Sequence, residues 1–370
     1  MNDFLKTINE LISIPSTGDN LAALEQAVTL IERQFAGIES IHTQRFIHNN
    51  KPSLLVFSGD RKPTEFDVLL SAHLDVVPGK PQQFKPYTHN GYFYGRGSMD
   101  MKATALGMAH VLREVLPTLS DTEHGPRLKI GGLFTTQEES KGADVKYLTE
   151  HGTIAAKFVI VGEAGMPTEV CTEYKGMAHA TIHFTGSRSH ESRPWEGKNA
   201  VTALGKFLGE LEKAYPEPSK PVWRTTATPI KIESTSLSAN QVPDGATVNI
   251  SFRQIPGDPN FVNSGHLHAF LTKILGQTSA KITVYGLERP VKVGHNNPFL
   301  EKLASAIETV HHQPARFIRK HGSCDGRFFP YAVVYGMTGE GLHGDNERLE
   351  IASIEPYLQT LRQFLISLQQ

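Results

Sequence analysis

Apolar positions recur along the chain with two different spacings, and the switches between them mark out the elements. Near the start, Phe4, Leu5, Ile8, Leu11 and Ile12 share one helical face with Asp3, Lys6 and Glu10 opposite; residues 22–35 repeat the pattern through Leu24, Val28, Ile31 and Phe35. Short apolar runs at 53–58 and 68–72 have the length of buried strands. Residues 80–91, rich in proline and polar side chains, read as a loop, and 101–116 returns to helical spacing. A strand leads from Leu128 towards Glu138, a helix covers 143–149, and 157–162 is another buried strand. From about Lys175 the character changes. Residues 177–186 alternate as a half-exposed strand, and a helix follows over 199–215 with Val201, Leu204, Phe207, Leu208 and Leu211 inward. Strands at 229–236 and 246–254, a helix over 264–275 and a strand over 281–286 complete a β-α-β-β-α-β order, the ferredoxin-like unit. A helix at 297–311, a strand at 332–337, a loop at 338–346 and a helix at 351–368 close the chain. The expected architecture is an α/β domain made of 1–174 and 287–370, interrupted by a smaller βαββαβ domain at 175–286.

Several of these strands end in side chains that bind metals or move protons. In Leu69-Leu-Ser-Ala-His73-Leu-Asp75 the apolar run stops at His73, and the period of two puts His73 and Asp75 on the same side. A carboxylate that clamps an imidazole fixes its tautomer and orientation, although an isolated H-x-D is more often a plain surface pair. Asp100 stands where the loop Tyr94-Gly-Arg-Gly-Ser-Met-Asp100 becomes a helix, a place where aspartate also serves as an N-cap. Glu138 and Glu139 are neighbours leaving a strand and so point different ways, one towards a metal and the other beside it as a base; the plain alternative is a solvated, acidic loop. Glu163 ends the next strand, and His343 lies in the glycine-flanked loop Gly341-Leu-His343-Gly-Asp-Asn-Glu347. In α/β sheets ligands gather at the carboxyl ends of strands. This inventory fits two zinc ions, each with one histidine and one terminal carboxylate, bridged by Asp100, with the left-over glutamate as proton shuttle.

Composition narrows the alternatives. The balance of 37 Lys+Arg against 38 Asp+Glu, without long runs of either sign, gives no electrostatic footprint for nucleic acid or an anionic membrane. Two cysteines, Cys171 and Cys324, are too few for a disulfide framework and too isolated for a cysteine-based zinc site, whereas 17 histidines permit other metal sites without proving one. The glycines around Arg96 do not form G-x-G-x-x-G, so a dinucleotide is not indicated. The first helix is amphipathic rather than the apolar core of a signal peptide, and no apolar segment approaches the roughly 20 residues of a membrane span. A cytoplasmic chain is the expectation.

The stretches H-L-D-V-V-P-G, G-R-G-S-M-D-M-K-A, Q-E-E-S, V-G-E, G-S-R-S-H-E-S-R-P-x-x-G-x-N-A and G-S-C-D-G-R-F-F occur in that order. Taken together the chain resembles the M20 metallopeptidase family, most of all its succinyl-diaminopimelate desuccinylase and acetylornithine deacetylase branch. The resemblance implies a mixed-sheet, zinc-exopeptidase-like catalytic domain with the ferredoxin-like unit as lid and dimerisation domain. It implies His73 and Glu163 on one zinc, Glu139 and His343 on the other, and Asp100 bridging them, with a cis peptide at Asp100–Met101. Glu138 would be general base and acid, and Asp75 would orient His73. In the implied homodimer His190 reaches the partner subunit's site to stabilise the oxyanion. Asn240, Arg253, Ser323 and Arg327 match substrate contacts; arginine is suited to a bidentate hold on a carboxylate. The implied reaction is cleavage of the amide bond of a small N-acyl amino acid in amino-acid biosynthesis, with two Zn2+ per subunit and Co2+ or Mn2+ as substitutes. An exopeptidase acting on dipeptides or short peptides is the alternative, and a catalytically silent binding protein on the same scaffold is the alternative of another class. Cys324, where that segment usually has serine, and Arg188 and Trp195 beside His190 depart from the branch pattern and leave the acyl group and amino acid open.

Overall fold

The structure is a computed structural model that describes residues 2–59, 61–119, 128–236 and 238–369. Met1 and Gln370, at the outer bounds of the expected domains, lie outside them. In chain order the elements are α1 (Asn2–Ser13), α2 (Leu21–Arg33), β1 (Ile41–His48), β2 (Lys51–Ser58), β3 (Phe66–His73), β4 (Tyr87–His89), β5 (Tyr92–Tyr94), α3 (Lys102–Val115), β6 (Ile130–Thr135), α4 (Ala143–Glu150), β7 (Ala156–Val161) and β8 (Glu169–Tyr174). Then come β9 (Met177–Thr185), α5 (Ala200–Ala214), β10 (Thr226–Ser234), β11 (Gly245–Arg253), α6 (Ser264–Leu275) and β12 (Ala280–Glu288). The chain ends with β13 (Val291–Lys292), α7 (Pro298–His311), β14 (Arg316–Lys320), β15 (Ala332–Val334), β16 (Gly339–Glu340), β17 (Arg348–Glu350) and α8 (Ile354–Ser367). It divides into two compact units, one of residues 1–172, 292–319 and 324–370 and one of residues 173–291 and 320–323.

The first unit is built on a mixed sheet in the order β1-β2-β6-β3-β7-β15-β8-β13, with β14 paired to β8. Its centre is parallel: β3 runs alongside β6 on one side and β7 on the other, and β15 continues beyond β7. Strands covered on both faces need apolar residues at every position rather than alternation, which is why β3 and β7 read as continuous runs. The helix α3 packs on β3 and β6 and meets α1 and α8. Gly131 and Gly132 in β6 permit this closeness, since a Cβ would fall 2.5 Å from Phe66 at the first and 2.4 Å from Leu112 of α3 at the second. A separate small sheet, β16-β17-β5-β4, lies in the same unit.

The second unit is a four-stranded antiparallel sheet in the order β10-β11-β9-β12, with α5 and α6 packed on it. Alternation along β9 and β11 sends Ala180, Ile182 and Phe184 and Val248, Ile250 and Phe252 inward. There they meet Leu204, Phe207 and Leu211 of α5 and Leu267, Leu271 and Leu275 of α6. Asn199 and Asn263 cap the two helices by accepting a backbone N–H, a role that favours asparagine at those positions. On the outer strand β10, Ile230 and Ile232 are 57% and 54% exposed.

The architecture is thus the α/β fold with a mixed central sheet and a small antiparallel-sheet domain that the periodicities imply. The differences are local. Residues 80–91 contain a 3-10 turn and β4 rather than loop throughout, and β1, β8, β14 and the small sheet carry no marked signal. β1 and β4 are largely exposed, so they lack the apolar run that marks a buried strand. Val201 faces solvent rather than the core of α5.

Candidate metal centre

Three adjacent parallel strands, β6, β3 and β7, deliver their carboxyl ends to one place. The middle one ends at His73, and its imidazole lies between what its neighbours bring. After β6 the chain turns through a 3-10 segment at Glu138–Ser140, and Lys141 takes a positive φ of 80°. Both glutamates therefore sit on a turn rather than leaving the strand itself as expected. After β7 comes Glu163. Ligand-capable atoms of His73, Asp100 and Glu139 lie within 4.8 Å of one another, as do those of His73, Glu138 and Glu163.

Asp100 does not serve as the N-cap of α3. The N-cap of α3 is Met101 and has no side-chain cap; the Asp100–Met101 peptide is cis. The Asp100 carboxylate instead spans two imidazoles, with Oδ1 3.0 Å from His73 Nε2 and Oδ2 3.0 Å from His343 Nε2. His343, on the loop between β16 and β17, holds the left-handed φ of 57° and stands 3.2 Å from Glu139 Oε1. Glu163 Oε1 is 3.8 Å from His73 Nε2.

Asp75 supports this cluster in two directions. His73 Nδ1 donates to the Asp75 carbonyl at 2.9 Å, with the Asp75 carboxylate 3.5 Å away. A carbonyl only accepts, so Nδ1 carries a proton, and Nε2 is the ring atom that faces the cluster. The same carboxylate accepts the backbone N–H groups of Glu138 (3.3 Å) and Glu139 (3.0 Å), which ties the glutamate turn to the end of β3.

The carboxylates of the cluster are crowded and mostly buried, and the same charges raise the pKa of His73 and His343. Burial, with the charges of Glu163 and Asp325, pushes the Glu138 carboxyl well above the usual carboxylate range, and burial also raises Glu139. Burial opposes charge on Asp100 as well, but the hydrogen bonds from His343 and His73 outweigh it and hold Asp100 below its ordinary value. Glu139 Oε1 is buried and receives no hydrogen bond. Buried carboxylates gathered without a matching cation are costly, and an oxygen and nitrogen donor set of this kind suits zinc, cobalt or manganese. The residues fit a metal centre.

The remaining expected residues fall in two places. In the first unit Arg327 is buried: Nη2 donates to the Lys141 carbonyl at 2.7 Å, Nη1 lies 3.7 Å from Asp325, and the guanidinium covers the Phe328 ring. It thus packs beneath the turn that carries Glu138 and Glu139. In the second unit the loop of His190 pairs with that of Asn240: Glu191 N–H donates to the Asn240 carbonyl at 3.1 Å, and His190 bridges Gln241. His190 is exposed, with Nδ1 2.9 Å from Ser192 Oγ and 2.7 Å from Glu191. Arg253 ends β11 opposite Thr226, and the hydroxyl of Ser323 is buried without a hydrogen-bond partner. Two further buried residues, Arg96 and Glu347, stand out only in the structure. Their one available signal in the sequence is that each is a charged residue in a glycine-bearing loop beside a candidate ligand.

The ends of three parallel strands and the loops of Asp100 and His343 thus bring two imidazoles and four carboxylates together, a donor set suited to a metal-dependent hydrolase. Over residues 69–367 the chain matches the Peptidase family M20/M25/M40, and it belongs to that family. Dinuclear metal sites are typical of the family, and the two ligand groups that meet at His73 are consistent with one here. A probable carboxypeptidase of Aspergillus niger is 27% identical over 288 residues, 70% of this chain and 65% of that protein, so the match spans just under two thirds of the fungal relative. Succinyl-diaminopimelate desuccinylase of Helicobacter hepaticus is 22% identical over 380 residues, 95% of this chain and 93% of that protein. The crystal structure of aminopeptidase PepT from Bacillus cereus superposes with a TM-score of 0.78 at 17% identity, covering 99% of this chain and 98% of the other. Among the described residues no helix is long and apolar enough to cross a membrane.

Proposed function

We propose that the chain is a dizinc amidohydrolase of small N-acyl amino acids, of the succinyl-diaminopimelate desuccinylase or acetylornithine deacetylase type. The observation that carries the reading is the Asp100 carboxylate held between two imidazoles at 3.0 Å on each oxygen. One free nitrogen per imidazole serves one metal, so His73 with Glu163 would hold one ion, His343 with Glu139 the other, and Asp100 would bridge. Co2+ or Mn2+ would fit the same donors. When bound, a pair of such ions acidifies a water and polarises the scissile carbonyl.

The protein groups supply the proton transfers and the orientation. Glu138, with its pKa raised by burial, accepts a proton from the attacking water at a carboxyl oxygen and returns it to the leaving nitrogen. Asp75 keeps the His73 ring in one tautomer and fixes the turn from which Glu138 projects. His190 donates to the oxyanion of the partner subunit in a homodimer formed through the βαββαβ unit, for which the exposed Ile230 and Ile232 on the edge strand β10 are a suitable surface. Asn240, Arg253, Ser323 and Arg327 contribute to the substrate side, Arg253 through the substrate carboxylate.

Replacing Glu138 with Gln tests the reading. Zinc content should stay near two per chain while turnover on acyl amino acids falls on the order of 10²–10⁴-fold; retained turnover would sink the assigned role.

A second reading, an exopeptidase acting on short peptides, is favoured by the similarity to a probable carboxypeptidase and to aminopeptidase PepT. A substrate panel of succinyl and acetyl amino acids against free-amine dipeptides separates the two.

A further inference from the structure

We propose that Arg96 and Glu347 are a reciprocal positioning pair that sets the spacing between the loop ending at Asp100 and the loop carrying His343. The inference rests on the metal-centre reading above and adds two residues to it. Both loops spring from one antiparallel pair of strands, β5 and β17, where Tyr94 is opposite Arg348. Each loop then sends a charged side chain into the other.

Glu347, four residues beyond His343, crosses to the Asp100 loop. Its Oε1 accepts the backbone N–H groups of Gly97 (2.9 Å), Met99 (3.0 Å) and Asp100 itself (3.1 Å). Arg96, four residues before Asp100, crosses the other way. Its Nη2 donates to the carbonyls of His343 (3.2 Å) and Gly344 (3.1 Å), and its Nη1 donates to Glu347 Oε2 at 2.5 Å. The two side chains are buried, with 3% and 1% exposure.

These contacts explain why the residue types are specific. One carboxylate oxygen gathers three amides that all point inward, and the other neutralises the guanidinium; an amide side chain keeps the first function and turns an NH2 group towards Arg96 in place of the second. The planar guanidinium reaches two carbonyls and a carboxylate at once, which the compact ammonium of lysine does not. Neither residue is among the proposed ligands. Both fix backbone atoms of residues that are, so an error in their placement would pass directly to the Asp100 carboxylate and the His343 ring.

The test uses the full chain, with Zn2+ and Co2+ as probes. Zinc affinity is measured by chelator competition, stoichiometry by elemental analysis, and ligand geometry by the Co2+ visible absorption spectrum, with circular dichroism reporting the fold. Glu347→Gln should keep a native dichroism spectrum, bind zinc about 10–100-fold more weakly with the ion at His343 and Glu139 losing most, and shift the Co2+ bands. Arg96→Lys, which keeps the buried charge, should weaken the same zinc and serves as the deciding variant if Glu347→Gln does not fold. Folded variants that bind both zinc ions with wild-type affinity and an unchanged Co2+ spectrum would overturn the pairing while leaving the metal centre intact. A wild-type chain that takes up neither metal would overturn the metal-centre reading, and the pairing with it.

Discussion

The two units place their polar groups in opposite ways. In the βαββαβ unit the interior between sheet and helices is a cluster of apolar side chains, from Ala180 and Ile182 to Phe252 and Leu271. In the α/β unit, buried ionisable groups crowd around the strand ends: His73, Asp75, Arg96, Asp100, Lys102, Asp144, Asp325, Arg327 and Glu347. An apolar interior draws its stability from area removed from water and tolerates change in proportion to the volume lost. A buried polar network gains little net stability and depends on each member having its partner. The first unit therefore accepts a stability cost in return for orientation, and the second does not.

Substitutions on the two sides should separate these behaviours. The largest stability effect is expected in the apolar cluster: Phe252→Ala removes a fully buried ring and should cost about 3–5 kcal/mol in denaturant unfolding. Zinc uptake by the folded protein should be unchanged, and a loss of zinc would break the comparison. A smaller cost, about 1–3 kcal/mol, is expected from Gly142→Ala. Its Cβ would stand 2.1 Å from Asp325 and 2.7 Å from Phe328, at a φ of 64° that side chains disfavour. Because Gly142 closes the turn bearing Glu138, this variant should lose turnover out of proportion to its stability, measured as kcat beside the unfolding midpoint. Least of all is expected from Arg45→Ala. It breaks a surface ion pair with Glu25 and Glu32 away from the site and should change stability by about 0–1 kcal/mol with turnover unaffected.

How much was legible in advance follows the same division. The second unit is read almost completely from periodicity, because alternation in β9 and β11 and the helical spacing of Leu204, Phe207 and Leu211 reflect one apolar core. In the first unit the buried strands β3 and β7 were clear, whereas exposed β1 and β4 carry too few apolar residues to register. Each strand-end residue was visible only as an ambiguity. Aspartate before a helix serves as a cap or a ligand, paired glutamates form a solvated turn or an acid and base, and a histidine beside glycines is a surface residue or a ligand. Motif order across the chain, rather than any one local pattern, favoured the second member of each pair. Arg96 and Glu347 carry no local signal because their partners, each other's side chain and backbone amides and carbonyls, lie in a loop 251 residues away in the chain.

By itself, then, the sequence determined the order of elements, the interruption of an α/β chain by a βαββαβ unit, and the kind of donor atom at each strand end. These are local properties, set by periodicities of two and 3.6 residues and by side-chain chemistry. Tertiary structure alone decided the 3.0 Å contact of Asp100 with His343 across 243 residues of chain, that Met101 rather than Asp100 caps α3, and that the Asp75 carboxylate beside His73 also holds the glutamate turn. Distances between strand ends are set by which strands pair and by the hydrogen bonds that close the loops, and that information is spread over the whole chain rather than written beside the residues it places.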